Sequence, residues 1–215
     1  MSQIVYAGAL CEVPGVATWM PSQHGMTWRA GTSRVRVRTV PESLICLHAT
    51  DGEGDARQVY RTLSAKSLSV EFVVERGGRV VQFLDPARFQ AAHVGGLNAR
   101  AIGIEIVCRV HADGNPWRRP VSSQIVQVVD AQGNWHRSNR RECLGLLPAQ
   151  TDALHRLVDW LCSATGITNT LADQRDYVPP EERAALRGVI GHAQVTTEHG
   201  DPPLDAMALF RGATT

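Results

Sequence analysis

Residues 69–107 read SVEFVVERGGRVVQFLDPARFQAAHVGGLNARAIGIEIV. A strand-like run over 70–75 reaches Gly77-Gly78, and a second run follows over 79–84. Two such runs around a Gly-Gly pair are a hairpin signal. DPARFQAAHVGGLN is irregular, with Gly95-Gly96 in a loop. AIGIEIVC (101–108) then predicts a strand buried on both faces, with one acid, Glu105, in it. An unpaired polar group in such a strand costs roughly 2–7 kcal/mol, and a charge costs more. Two readings of Glu105 stay open: it pairs with a cation or faces water, or it is there for chemistry.

Upstream, SLICLHAT (43–50) is another short apolar run, and it delivers His48 at its end. GEGDA turns the chain, with Asp55 placed to cap a helix whose face is Ala56, Val59, Tyr60 and Leu63. Residues 1–40 are rich in Gly, Pro, Ser and Thr and read as an N-terminal elaboration. Within them RVRVR (34–38) alternates like an exposed strand. Downstream, 111–147 is a poorly periodic insert rich in Trp and Arg, with SQIVQVVD and NWHRSN as a second small hairpin. Pro148 opens a helix with Leu154, Leu157, Val158 and Leu161 on one face, and Gly166 ends it. YVPPEERAALR holds a loop and a short helix. Gly188–Gly191 is a short strand into His192, and a closing helix spans 204–210. Alternating strands and helices predict an α/β class, with a mixed central sheet flanked by helices in one domain.

Composition narrows the partners. The 215 residues carry a formal net charge of +1, which argues against nucleic acid as the main partner. No run approaches the roughly 20 apolar residues of a membrane span. The first residues lack the basic start of a secretory signal, so a cytoplasmic location is expected. Five cysteines without a C-x-x-C pair argue against a disulfide framework, and Cys46 and Cys108 read as buried thiols.

His48 ends one strand, Glu105 interrupts another, and His192 follows a third. Each histidine alone reads as readily as a hydrogen-bonded core or loop residue. Two histidines and a carboxylate together are a catalytic zinc pattern that leaves a fourth position open. His24, His111, His136 and His155 read as solvated, and Asp205 as a helix-start residue.

The chain resembles the type 2 N-acetylmuramoyl-L-alanine amidases, a family that includes phage lysozyme-type amidases, cell-wall recycling amidases and peptidoglycan recognition proteins. The resemblance rests on LICLHAT, on 69–107 as quoted above, on LPAQTDALHRLVDWLCSATGI and on GVIGHAQVTTEHGDPPL. It covers roughly residues 43–210, with 111–147 unmatched. It implies a peptidoglycan recognition protein/amidase-like fold and a Zn2+ cofactor held by His48, His192 and Asp201. It implies that Glu105 activates the attacking water and that His93 and Asn98 lie at the substrate groove. The family's usual K-x-D-P-G is here His199-Gly200-Asp201-Pro202-Pro203. His199 therefore takes the position of a lysine that stabilises the transition state, and it also competes with Asp201 as third ligand.

The implied reaction is hydrolysis of the amide between N-acetylmuramic acid and L-alanine of peptidoglycan or a muropeptide. The N-terminal elaboration and the insert favour a phage-type endolysin, released from the cytoplasm on host lysis. The alternatives are a muropeptide-recycling amidase and a non-catalytic peptidoglycan-binding module.

Overall fold

The computed structural model describes residues 2–20, 26, 28, 30–32, 34–52, 54–108, 127–129, 135–137, 146–175, 177–196, 201–202 and 204–210. The chain opens with a hairpin of β1 (Gln3–Tyr6) and β2 (Ala9–Glu12), followed by β3 (Thr18–Trp19) and β4 (Val35–Val37). Next come β5 (Leu44–Ala49), α1 (Ala56–Ala65), β6 (Phe72–Val74), β7 (Val80–Gln82), β8 (Phe89–Ala91) and β9 (Ala101–Ile106). β10 (Gln127–Val129) and β11 (Trp135–Arg137) form the expected second hairpin. α2 (Pro148–Thr165), β12 (Gly188–Gly191) and α3 (Leu204–Ala208) complete the order.

The main sheet runs β12-β5-β9-β6-β7-β3. β12, β5, β9 and β6 are mutually parallel, and β6 turns back antiparallel into β7. The mixed sheet with flanking helices is the architecture expected from the sequence.

The two faces of this sheet differ, and the difference places the site. On one face Ile45, Leu47, Phe72, Val74, Ile102, Ile104, Ile106 and Val189 pack with Leu154, Leu157, Val158 and Leu161 of α2. Side chains alternate faces along a strand. Cys46, His48, Gly103 and Glu105 therefore point the other way, and β5 and β9 pair Cys46 with Gly103 and His48 with Glu105. That second face carries two separate apolar clusters. One, under α1, holds Val59, Leu63, Val73 and Val107. The other holds Leu44, Ala101, Leu186 and Ile190. His48 and Glu105 are polar exceptions between the two.

Local chemistry explains the ends of the elements. Asp55 caps α1 by accepting a hydrogen bond from the Gln58 N–H at 3.0 Å. Gly166, with φ +76°, ends α2 in the left-handed conformation. Gly188 starts β12 at φ +112°, where a Cβ would lie 2.6 Å from the Thr170 carbonyl oxygen. A Gly188→Ala protein is expected to lose roughly 1–3 kcal/mol or more, because strain and collision add. Denaturant unfolding checks this, and an unshifted midpoint contradicts it.

Described residues of the N-terminal elaboration contribute to the sheet and the core, and one detail there departs from the sequence reading. β3 joins the main sheet parallel to β7, and Ile4, Val13 and Val16 are in the core. Arg38, expected on an exposed strand, has a side chain only 2% exposed. Its guanidinium donates to the carbonyls of Pro86, Ala99 and Ala101 at 2.7–3.0 Å, which satisfies the buried charge.

Candidate active site

Three chain segments bring the predicted ligands together. His48 sits near the end of β5, and His192 begins the single 3-10 turn His192–Gln194 that leaves β12. Asp201 is returned to them by backbone and side-chain contacts. Its carbonyl accepts from Ala193 N–H at 2.7 Å, and Oδ2 accepts from Ala49 N–H at 3.2 Å. The turn itself is fixed by Gln194. Its amide accepts from Gly191 N–H and donates to the carbonyls of Asp173 and Arg175.

His48 Nδ1 lies 3.6 Å from Asp201 Oδ2, and His192 Nδ1 lies 3.5 Å from Asp201 Oδ1. The three ligand atoms all fall within 4.8 Å of one another. A tetrahedral ion with bonds of about 2.0–2.2 Å holds neighbouring ligand atoms about 3.3 Å apart, so spacing and donor set both fit zinc. Burial by itself raises the Asp201 carboxyl, but His192 and His48 facing it outweigh burial and hold it well below the usual carboxylate range. An ionised carboxylate is the form a cation needs. His192, with a side chain 15% exposed against 4% for His48, is the more open of the two histidines.

Glu105 is buried, so the sequence alternative of a water-facing strand position does not hold. Its Oε2 has no hydrogen-bond partner among the described residues. Burial, with the Asp201 charge adding to it and Lys66 partly offsetting it, pushes Glu105 up to about 8. A buried carboxyl with a free oxygen and a value near neutrality has the properties of a general base or acid.

His93 and Asn98, expected at the substrate groove, have different surroundings. The His93 ring is 3% exposed and packs edge-on to His48, with Nδ1 2.9 Å from His48 Nε2. Asn98 Oδ1 accepts from the N–H groups of His93 and Val94, which shapes the loop. Asn98 also lines a cavity of about 350 Å³ with Arg34, Arg36 and Gln90. His199 lies outside the described residues, as do His24 and His111 and the side chains of His136 and Asp205. His155 is half exposed beside Asp159.

Cys46, His48 and His93 form a second group with ligand-type atoms within 4.8 Å. Burial, with Asp201, Glu105 and Glu71 adding to it, pushes the Cys46 thiol far up, away from the thiolate that binds metals. The 2.9 Å between the two imidazoles is a hydrogen-bond distance and is shorter than the spacing of two zinc ligands.

The sequence reading passed over Glu71. It is fully buried in front of β6, and it interrupts SVEFVV as Glu105 interrupts AIGIEIV, which was the available signal. Its oxygens accept from Ala91 N–H at 3.0 Å and Gly103 N–H at 2.7 Å, and the Arg38 guanidinium is 3.4 Å away. Burial pushes Glu71 up to about 7, with Arg38 and the two amides holding it down in part. The unfolded chain ionises near the ordinary glutamate value of about 4.3, so the folded state holds this proton more tightly. The Glu71 contribution to stability is therefore fully present below about pH 4.3 and falls as pH rises towards 7. The Tm of the metal-free protein is expected to decline over that window. Glu71→Gln should flatten the decline, and an equally steep decline in the variant contradicts it.

Known proteins resemble this chain in family pattern and in fold. The family description N-acetylmuramoyl-L-alanine amidase matches residues 38–203. No curated protein matches the chain by sequence. Among solved structures, an endolysin N-acetylmuramoyl-L-alanine amidase from Clostridium intestinale is similar at TM-score 0.50 and 15% identity, over 86% of this chain and 85% of that one. The Drosophila peptidoglycan recognition protein SD is similar at TM-score 0.53 and 13% identity, over 93% of this chain and 95% of that one. At these identities the structural likeness speaks for the fold, and the family match spans most of the chain. The protein belongs to the N-acetylmuramoyl-L-alanine amidase family.

Proposed function

We propose that the protein is a zinc-dependent amidase that cleaves the bond between N-acetylmuramic acid and L-alanine of the peptidoglycan stem peptide, acting as a phage-type endolysin. The observation that carries this reading is the cluster of His48, His192 and Asp201, with His48 paired across β5 and β9 to Glu105, whose Oε2 is buried and has no hydrogen-bond partner among the described residues. Zinc, when bound, supplies Lewis acidity that activates water and polarises a carbonyl.

The residues then divide the work. His48 and His192 present imidazole nitrogens, and Asp201 presents a carboxylate. Glu105 takes the proton of the attacking water and delivers it to the leaving amine of L-alanine. His199 donates a hydrogen bond to the developing oxyanion, as the lysine of the family pattern would. The cavity lined by Arg34, Arg36, Gln90 and Asn98 supplies cationic and amide groups suited to a stem peptide bearing carboxylates and amides. Support for a peptidoglycan ligand also comes from a structural neighbour at TM-score 0.51, a peptidoglycan recognition protein ectodomain complex bound to tracheal cytotoxin.

Two further settings use the same chemistry or the same surface: recycling of soluble muropeptides, and peptidoglycan binding without turnover. Mass spectrometry of products from purified peptidoglycan tests all three. Free stem peptides beginning with L-alanine, together with peptide-free glycan, are expected. Intact peptidoglycan beside cleaved soluble muropeptide assigns the recycling role. Binding with neither substrate cleaved assigns the recognition role.

A further inference from the structure

The zinc reading leaves one buried group without work. His93 is enclosed, its Nε2 has no hydrogen-bond partner among the described residues, and its Nδ1 is 2.9 Å from a proposed ligand histidine. The sheet is built around this ring. A Cβ on Gly103 would lie 2.9 Å from its Cγ and Cδ2, so the glycine of IGIE makes the seat for His93. The Gly103 N–H meanwhile donates to Glu71 Oε2, which lies 3.8 Å from His93 Nε2. Arg38 closes the far side of Glu71.

The proton positions follow from this geometry. His48 Nδ1 faces Asp201, so as a ligand it must present a lone pair there. The remaining ring proton of neutral His48 then sits on Nε2 and is donated to His93 Nδ1. His93 has therefore to carry its own proton on Nε2, the nitrogen directed at the Glu71 carboxyl.

We propose that His93, seated by Gly103 and faced by Glu71, is a positioning residue that fixes the ring orientation and tautomer of His48 and so sets the zinc affinity of the site. This rests on the zinc reading above. A partner to the second nitrogen of a ligand histidine typically changes metal affinity by about 10–100-fold.

The test is a zinc titration of the full chain in competition with a chromophoric chelator. His93→Leu fills the seat but offers no acceptor, and it is expected to bind zinc about 10–100-fold more weakly than the wild type. His93→Asn places an amide oxygen near the Nδ1 position and is expected to recover most of that loss. Equal affinity of wild type and His93→Leu overturns the proposal, as does an Asn variant no better than the Leu variant. A wild-type protein that takes up no zinc would instead sink the metal reading itself. Should His93→Leu fail to fold, nitrogen NMR of the zinc-loaded wild type decides. The His93 proton is expected on Nε2, and a proton on Nδ1 overturns the proposal.

Discussion

Glu105→Gln is expected to keep the fold, keep zinc and lower turnover by about 100-fold or more. The change preserves volume and hydrogen-bonding capacity but removes the group that accepts and returns a proton, and general acid–base catalysis contributes about 10²–10⁴-fold. The position makes the substitution clean. Burial already favours the neutral carboxyl at Glu105, so an uncharged amide there disturbs packing little. Steady-state kinetics beside metal analysis reads the result. Turnover within a few-fold of wild type, with zinc retained, would move the proton transfer to another group.

Removing the ligands is expected to have the larger effect. His48→Ala with His192→Ala should leave a protein without stoichiometric zinc and without measurable turnover, since one carboxylate cannot hold the ion against free solution. Asp201→Ala should lose metal as well, because its two oxygens face both histidines at 3.5–3.6 Å. Near-full occupancy in the double variant contradicts the assignment. Release of zinc by His199→Ala together with its retention by Asp201→Ala would move the third ligand from 201 to 199.

The sequence made part of this site legible for a physical reason. His48, Glu105 and His192 each punctuate or follow an apolar strand, and a polar side chain in such a run has to be satisfied or useful. The strands, the Gly77-Gly78 hairpin and the long helix were readable because period and turn residues agreed along the chain. Glu71 carried the same signal as Glu105 but meant nothing without its partners. Arg38, Gly103 and His93 meet it only after the sheet has formed. The alternation of RVRVR pointed Arg38 outward, because local periodicity holds no record of the carbonyls of Pro86, Ala99 and Ala101 that surround it. β3 was not readable, since two residues offer no period.

That two-residue strand has a consequence for how the chain can be shortened. β3 covers the open side of β7, whose Val80 N–H donates to the Ala17 carbonyl at 2.8 Å and whose three residues are buried. A chain beginning after residue 20 would expose a run of unpaired main-chain donors and acceptors beside Val80 and Val81. Such an edge recruits strands from other molecules. The first twenty residues thus cover an edge that would otherwise be open, and a protein trimmed of them is expected to self-associate.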